Sequence, residues 1–126
     1  MAENGVIGVD HISFICDDLP KSLAFYQAVF DAVILPRPEL GFPGVWLDLG
    51  GGVVLHLLNL PNPDAGVPRP EHGGRDKHIA LAVRSTAEFA EKLARMAVVT
   101  TRSRSGRDAL FFRDPSGNAI ELLGRG

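Results

Sequence analysis

Apolar residues recur along this chain in two rhythms, every second position or every third to fourth, and the two rhythms alternate in the same order twice. Residues 8–16 hold Val9, Ile12, Phe14 and Ile15 and read as a buried strand. Asp17-Asp18 then offers a helix cap, with Pro20 in the first turn, where its missing N–H does no harm. Leu19, Leu23, Tyr26 and Phe30 follow at helical spacing and predict a helix over 19–30. Short strands are expected near 32–36, 45–49 and 52–59, broken by Gly41-Phe42-Pro43-Gly44 and Gly50-Gly51-Gly52. The same order then returns. A strand is expected over 77–83. Ser85 and Glu88 have capping-box spacing, and Phe89, Leu93 and Met96 mark a helix over 86–96. Strands follow near 97–102, 109–113 and 118–123, with Asp114-Pro115-Ser116-Gly117-Asn118 as the last turn. Each half is therefore strand, helix, strand, strand, strand, an α+β arrangement.

The duplication is visible residue by residue. Asp10-His11-Ile12-Ser13-Phe14-Ile15 matches Lys77-His78-Ile79-Ala80-Leu81-Ala82 at an offset of 67. Gly52-Val53-Val54-Leu55-His56-Leu57-Leu58 matches Gly117-Asn118-Ala119-Ile120-Glu121-Leu122-Leu123 at an offset of 65. Only two copies are present, which suggests a closed pair of modules and not a solenoid. The expected organisation is a single domain over 1–126, with modules over 8–59 and 77–124. The Pro-rich connection over 60–76 is expected to cross the surface.

Three of the four histidines and one glutamate fall at matched positions of these copies: His11 with His78, and His56 with Glu121. Strand alternation puts each on the face opposite its bulky neighbours. His11 lies with Ser13, His78 with Ala80 and Ala82, and Glu121 with Ala119, so small residues leave room around them; Val54 and Leu58 share the face of His56. An unpaired carboxylate on such a strand is costly to bury. Imidazole nitrogen and carboxylate oxygen together suit Ni, Mn, Zn, Co or Fe(II), and the absence of cysteine ligands argues against a structural zinc. The expected centre is a divalent metal ion held by His11, His56, His78 and Glu121, with coordination positions left for water or substrate.

Composition narrows the partners. A net charge of −2 and a pI of about 6 give no overall excess that would seek nucleic acid or an anionic membrane. The local run Arg102-Ser103-Arg104-Ser105-Gly106-Arg107 reads as a solvated loop or an anion site. No stretch approaches the ~18 apolar residues that would span a bilayer. The N-terminus has no basic region followed by an apolar segment, and the single cysteine, Cys16, fits a reducing compartment; a cytoplasmic location is expected.

From about residue 8 to 124 the chain resembles the vicinal oxygen chelate superfamily. That group includes glyoxalase I, fosfomycin-resistance thiol transferases, methylmalonyl-CoA epimerase, extradiol dioxygenases and bleomycin-resistance proteins. The likeness rests on Val9-Asp10-His11, Ser22-Leu23-Ala24-Phe25-Tyr26, Lys77-His78-Ile79-Ala80-Leu81 and Asp114-Pro115-Ser116-Gly117-Asn118-Ala119-Ile120-Glu121-Leu122. The resemblance implies two βαβββ modules whose eight strands curl into a cup around the metal, and a homodimer. It maps the ligands onto His11, His56, His78 and Glu121. His56 stands where glyoxalase I and the epimerase usually carry glutamate or glutamine, whereas the thiol transferases use only three protein ligands, matching His11, His78 and Glu121. His56 is then a fourth ligand or a pocket wall.

The implied activity is that of a metal-dependent enzyme, a glyoxalase I-like lyase or isomerase, or a thiol transferase. Its small oxygenated substrate chelates the ion, with Glu121 handling the proton. For an anionic substrate Arg37, Arg75, Arg104 and Arg107 are the candidate counter-charges, and Trp46 is a candidate pocket wall or core residue. Tyr26 reads as core, Cys16 as a small buried residue, and His72 as a solvated loop position or a lid. The competing readings are a metal-free binding protein of the bleomycin-resistance type, which sequesters its ligand, and an Fe(II) extradiol dioxygenase.

Overall fold

The computed structural model describes residues 3–126. Strand β1 spans Ile12–Ile15, helix α1 Leu19–Phe30, and strands β2, β3 and β4 span Val33–Leu35, Gly44–Gly50 and Val53–Leu58. After the long connection, which carries a short 3-10 turn at Gly73–Arg75, come β5 (His78–Val83), α2 (Ala87–Arg95), β6 (Thr101–Arg102), β7 (Ala109–Arg113) and β8 (Ala119–Gly124). The strands form two four-stranded sheets of identical plan, ordered β1-β4-β3-β2 and β5-β8-β7-β6. In each, the first strand in that order, β1 or β5, runs parallel to its neighbour and the remaining pairs are antiparallel.

Helix α1 begins where its sequence says it should. Asp18 is extended and its side chain accepts from the Lys21 amide at 3.0 Å, and Pro20 sits in the first turn. Its buried stripe is Ser22, Phe25, Tyr26 and Val29, whereas Leu19, Leu23 and Phe30 lie half-buried at its edges, so the expected stripe was set about one position off. Helix α2 departs further. Thr86, not Ser85, precedes it, and makes no side-chain cap bond because its hydroxyl donates to Asp108 Oδ1 at 2.5 Å. Ser85 Oγ accepts only from the Ala87 amide, at 3.2 Å. The capping box is therefore not formed.

Both helices are followed by a residue in the left-handed region, Asp31 at φ 53° and Ala97 at φ 59°. The second of these shortens the strand expected over 97–102. The Val98 amide still bonds back to Leu93 O at 2.9 Å, and pairing starts only at Thr101. Residues 8–11 are exposed and lie outside β1, so the strand expected over 8–16 is shortened to Ile12–Ile15.

The bulky faces share one interior. Phe25, Tyr26 and Val29 of α1, Leu93 of α2, Leu47, Leu55 and Leu57 of the first sheet, and Leu110, Phe112, Ile120 and Leu122 of the second are all buried in one cluster. Each such side chain contributes roughly 1.5–3 kcal/mol by leaving water. Polar bonds bind the halves at one end. Tyr26 donates its hydroxyl to Asp114 Oδ2 at 2.6 Å, Asn118 Nδ2 donates to Ile15 O at 3.0 Å, and the Asp17 amide donates to Ser116 Oγ at 3.0 Å. Cys16 is fully buried, as its position on the Ile12–Phe14 face requires. Among the described residues no helix is long and apolar enough to cross a membrane.

Candidate metal centre

The two sheets build the same polar device at the same place. In the first, Ser13 stands opposite His56 in the β1–β4 register, and His11 precedes Ser13 by two residues on the same face. In the second, Ala80 stands opposite Glu121, and His78 precedes Ala80 by two. Each sheet thus sets a pair of polar side chains on a diagonal, with a small residue beneath. Across the next strand an aromatic ring completes each device: Trp46 opposite His56, and Phe111 opposite Glu121.

The second pair has the sharper chemistry. His78 Nδ1 lies 2.8 Å from Asp76 O, and a carbonyl oxygen has no hydrogen to give, so Nδ1 carries the proton. In the neutral ring the Nε2 lone pair then faces Glu121 Oε1 at 3.0 Å, two acceptors with no hydrogen between them. That contact is favourable only with a proton or a cation between the two atoms. Ligand atoms about 2.1 Å from one ion and at right angles to each other stand about 3 Å apart, so the pair has the bite of a two-pronged chelate. Glu121 is 7 % exposed, with Phe111 alongside.

The first pair is arranged differently. The His11 and His56 rings stack at 3.9 Å with 17° between planes, and Trp46 covers the other face of His56 at 4.2 Å and 6°. Nitrogen lone pairs lie in the ring plane, so two nearly parallel rings do not aim at one ion. His11 Nδ1 lies 2.7 Å from Asp10 Oδ1, which leaves Nε2 outward as the available donor. Burial first, and the neighbouring His11 ring next, lower the His56 pKa, so His56 holds a proton less readily than an ordinary imidazole.

The expected four-residue cluster is therefore not assembled inside one chain. Among the described residues no three His, Cys, Asp or Glu side chains lie where they could hold a metal ion together. The structure brings His11 to His56 and His78 to Glu121, and leaves the two pairs apart. The physical reason is that the bulky faces of both sheets close on a common interior, and each pair looks outward from its own sheet.

Residues 8–122 match the model of the Glyoxalase/Bleomycin resistance protein/Dioxygenase superfamily. The chain belongs to that superfamily. It is 33% identical over 120 residues to Glyoxylase I 4 of Arabidopsis thaliana, covering 90% of this chain and 68% of that protein. It is 28% identical over 132 residues to metallothiol transferase FosB of Bacillus licheniformis, covering 97% and 78%. Its fold is similar to that of the fosfomycin resistance protein FosX of Listeria monocytogenes complexed with Mn(II) and sulfate, with a TM-score of 0.73, 21% identity, and coverage of 94% and 90%.

Within this superfamily member the candidate cations are scattered. Arg37 donates to Phe42 O at 2.9 Å and lies over the Phe42 ring, as a brace of the loop before β3. Arg75 and Arg104 line one groove beside the second sheet, whereas Arg107 is exposed on the β6–β7 turn outside it. Trp46 is half-buried on the outward face against His56, not in the core. His72 is not a solvated loop residue: Nδ1 lies 2.6 Å from Thr101 Oγ1 and its ring meets Phe111 edge-on at 4.6 Å. Phe111 is the functional-face residue that sequence reasoning missed. The signal was present, because the offset of 65 that equates His56 with Glu121 also equates Trp46 with Phe111.

Proposed function

We propose that this protein is a divalent-metal-dependent enzyme acting on a small oxygenated, anionic substrate, with His11, His78 and Glu121 as ligands and His56 as pocket wall. The observation that carries the reading is the 3.0 Å contact between His78 Nε2 and Glu121 Oε1, in a ring whose other nitrogen is tied to Asp76 O. His11 is the third ligand because its Nε2 is unengaged among the described residues, while the parallel stack keeps His56 from sharing its ion. The superfamily relatives include a glyoxalase I protein and metallothiol transferases, and a three-ligand set favours the thiol-transferase form of the reading over the lyase or isomerase form.

The ligand set closes across two copies of the chain in a homodimer. Its members are not within reach of one ion inside one copy. The segment leading into His11 carries Val6, Ile7 and Val9 at 67%, 103% and 84% exposure, an apolar strip that a second copy would cover. When bound, the divalent ion supplies Lewis acidity toward two adjacent substrate oxygens. The chain's own residues do the rest. Asp76 O keeps His78 in one tautomer, Glu121 takes or returns the substrate proton, and the Trp46–His56 stack offers a flat wall that keeps water from one side of the guest.

Metal analysis after incubation with Ni, Mn, Zn, Co or Fe(II) tests this. The wild type is expected to retain stoichiometric metal, His78→Ala, Glu121→Gln and His11→Ala to lose it, and His56→Ala to keep it. A wild type that binds no metal, or a His78→Ala protein that binds as well, overturns the reading.

A further inference from the structure

We propose that Arg113 is a positioning residue for the candidate metal centre: acting through Asp76, it sets which nitrogen of the His78 ring carries the hydrogen. This rests on the functional reading for the ion, and on the geometry of this chain alone for the ring. Arg113, Ala119 and His78 stand in one row across β7, β8 and β5. Ala119 is small, and the connection before β5 lies over it, since a Cβ on Gly73 would stand 3.3 Å from the Ala119 Cβ. From either side of that small residue, Arg113 and His78 both reach Asp76 in the connection.

Asp76 uses every polar group it has. Its amide donates to Gly73 O at 3.1 Å. Its Oδ1 accepts from Arg69 Nη2 at 2.6 Å and from the Lys77 amide at 2.8 Å. Its Oδ2 accepts from Arg113 Nη1 at 2.8 Å, and its carbonyl accepts from His78 Nδ1 at 2.8 Å. The Lys77 N–H and the Asp76 C=O belong to one planar peptide unit, so a carboxylate that holds the first also aims the second. Two guanidiniums hold that carboxylate in turn, by charge-assisted bonds. Arg113 has the wider grip, because it also donates to Pro70 O and to Gly117 O, in the turn that leads into β8 and Glu121. Arg69 is shared with Asp64, at 2.9 Å.

The consequence lies at the other ring nitrogen. Glu121 Oε1, 3.0 Å from His78 Nε2, competes for the same hydrogen. With the Asp76 carbonyl aimed at Nδ1, the hydrogen stays there and the Nε2 lone pair is open to an ion. With that carbonyl turned away, the hydrogen passes to Nε2 and bonds to Glu121, and the two ligand atoms satisfy each other in place of a metal. The ring stays neutral in this exchange, since one nitrogen loses the hydrogen that the other gains.

The test reads the His78 ring of metal-free protein by long-range nitrogen–proton correlation NMR at about pH 8, above the ordinary imidazole range, with His78→Ala assigning its signals. The wild type is expected to hold the hydrogen on Nδ1, and Arg113→Ala to hold it mainly on Nε2, with a smaller shift in Arg69→Ala. Asp76→Ala keeps the carbonyl but removes what both arginines grip, so it should match Arg113→Ala, and it carries the test if that variant does not fold. Titration with Zn alone should show affinity about 10- to 100-fold weaker in Arg113→Ala. Arg102→Ala breaks a different arginine–aspartate pair, with Asp108, from β6 at the far edge of the same sheet, and should leave both readouts unchanged. A wild-type hydrogen on Nε2, a wild-type ring in folded Arg113→Ala or Asp76→Ala, or an equal shift in Arg102→Ala overturns the proposal. A wild type without metal affinity overturns the functional reading, and the ring still decides this one.

Discussion

Asp114 carries a structural load that its place in a turn motif does not suggest. Burial pushes its carboxyl up from the ordinary range, and the Tyr26 hydroxyl, Asn118 and the Ser116 amide pull it back. Tyr26→Phe removes the first of those donors and should cost about 1.5–3 kcal/mol, as for hydrogen bonds to charged groups. A buried carboxyl whose folded pKa is raised favours the fold when protonated and costs it stability as pH rises through the folded value, whereas the Tyr26 bond supports the charged form that appears there. The Tyr26→Phe deficit should therefore be larger at about pH 7 than at about pH 4 in urea denaturation; an equal deficit at both would mean that the hydroxyl does not support the charge. At this scale the sequence was partly legible. His11, His56, His78 and Glu121 stood out because polar residues on apolar strands need a reason. Tyr26 was read as core without its polar partner, because nothing in a helix stripe reveals a contact with a turn 88 positions away.

Among the elements, the connection before β5 is fastened by charge. Asp76 accepts from Arg69 at 2.6 Å and from Arg113 at 2.8 Å, and Arg113 also donates to Pro70 O and Gly117 O. Arg69 foremost, then Arg113, hold the Asp76 carboxyl down at about 2. A depressed carboxylate stabilises the fold above its unfolded value near 3.8, and the gain is lost as pH falls toward 2. Acid unfolding of the wild type should reach into that window, and Arg69→Ala should move the acid limb to higher pH; an unmoved limb would show that Asp76 is not the group lost. Strand and helix order came through from periodicity alone, and α1 matched to the residue. The shortened β6 and the missing capping box did not, since the first depends on a left-handed Ala97 and the second on Asp108 drawing Thr86 away. Neither partner is visible in local spacing.

For the whole molecule, the duplication seen in sequence reappears as two sheets of one plan, but not as one cup with four ligands inside a single chain. Periodicity tells which face a side chain takes within its sheet; it does not tell where two sheets stand relative to each other. If ligand sets close between copies, variants defective in different ligands should rescue each other. His11→Ala and Glu121→Gln, unfolded together and refolded as a mixture, would regain roughly a quarter of the wild-type metal, because half the dimers are mixed and one of their two sites is intact. Recovery no greater than that of the separate variants would place each set within one chain.

The chain has a single tryptophan, Trp46, and the fold lays it flat on His56, which in turn lies on His11. The protein's indole emission therefore comes wholly from the rim of the candidate centre. Whatever parts the three rings, or slips between them, registers as a change of colour or intensity without any label, and guests can be screened by light alone.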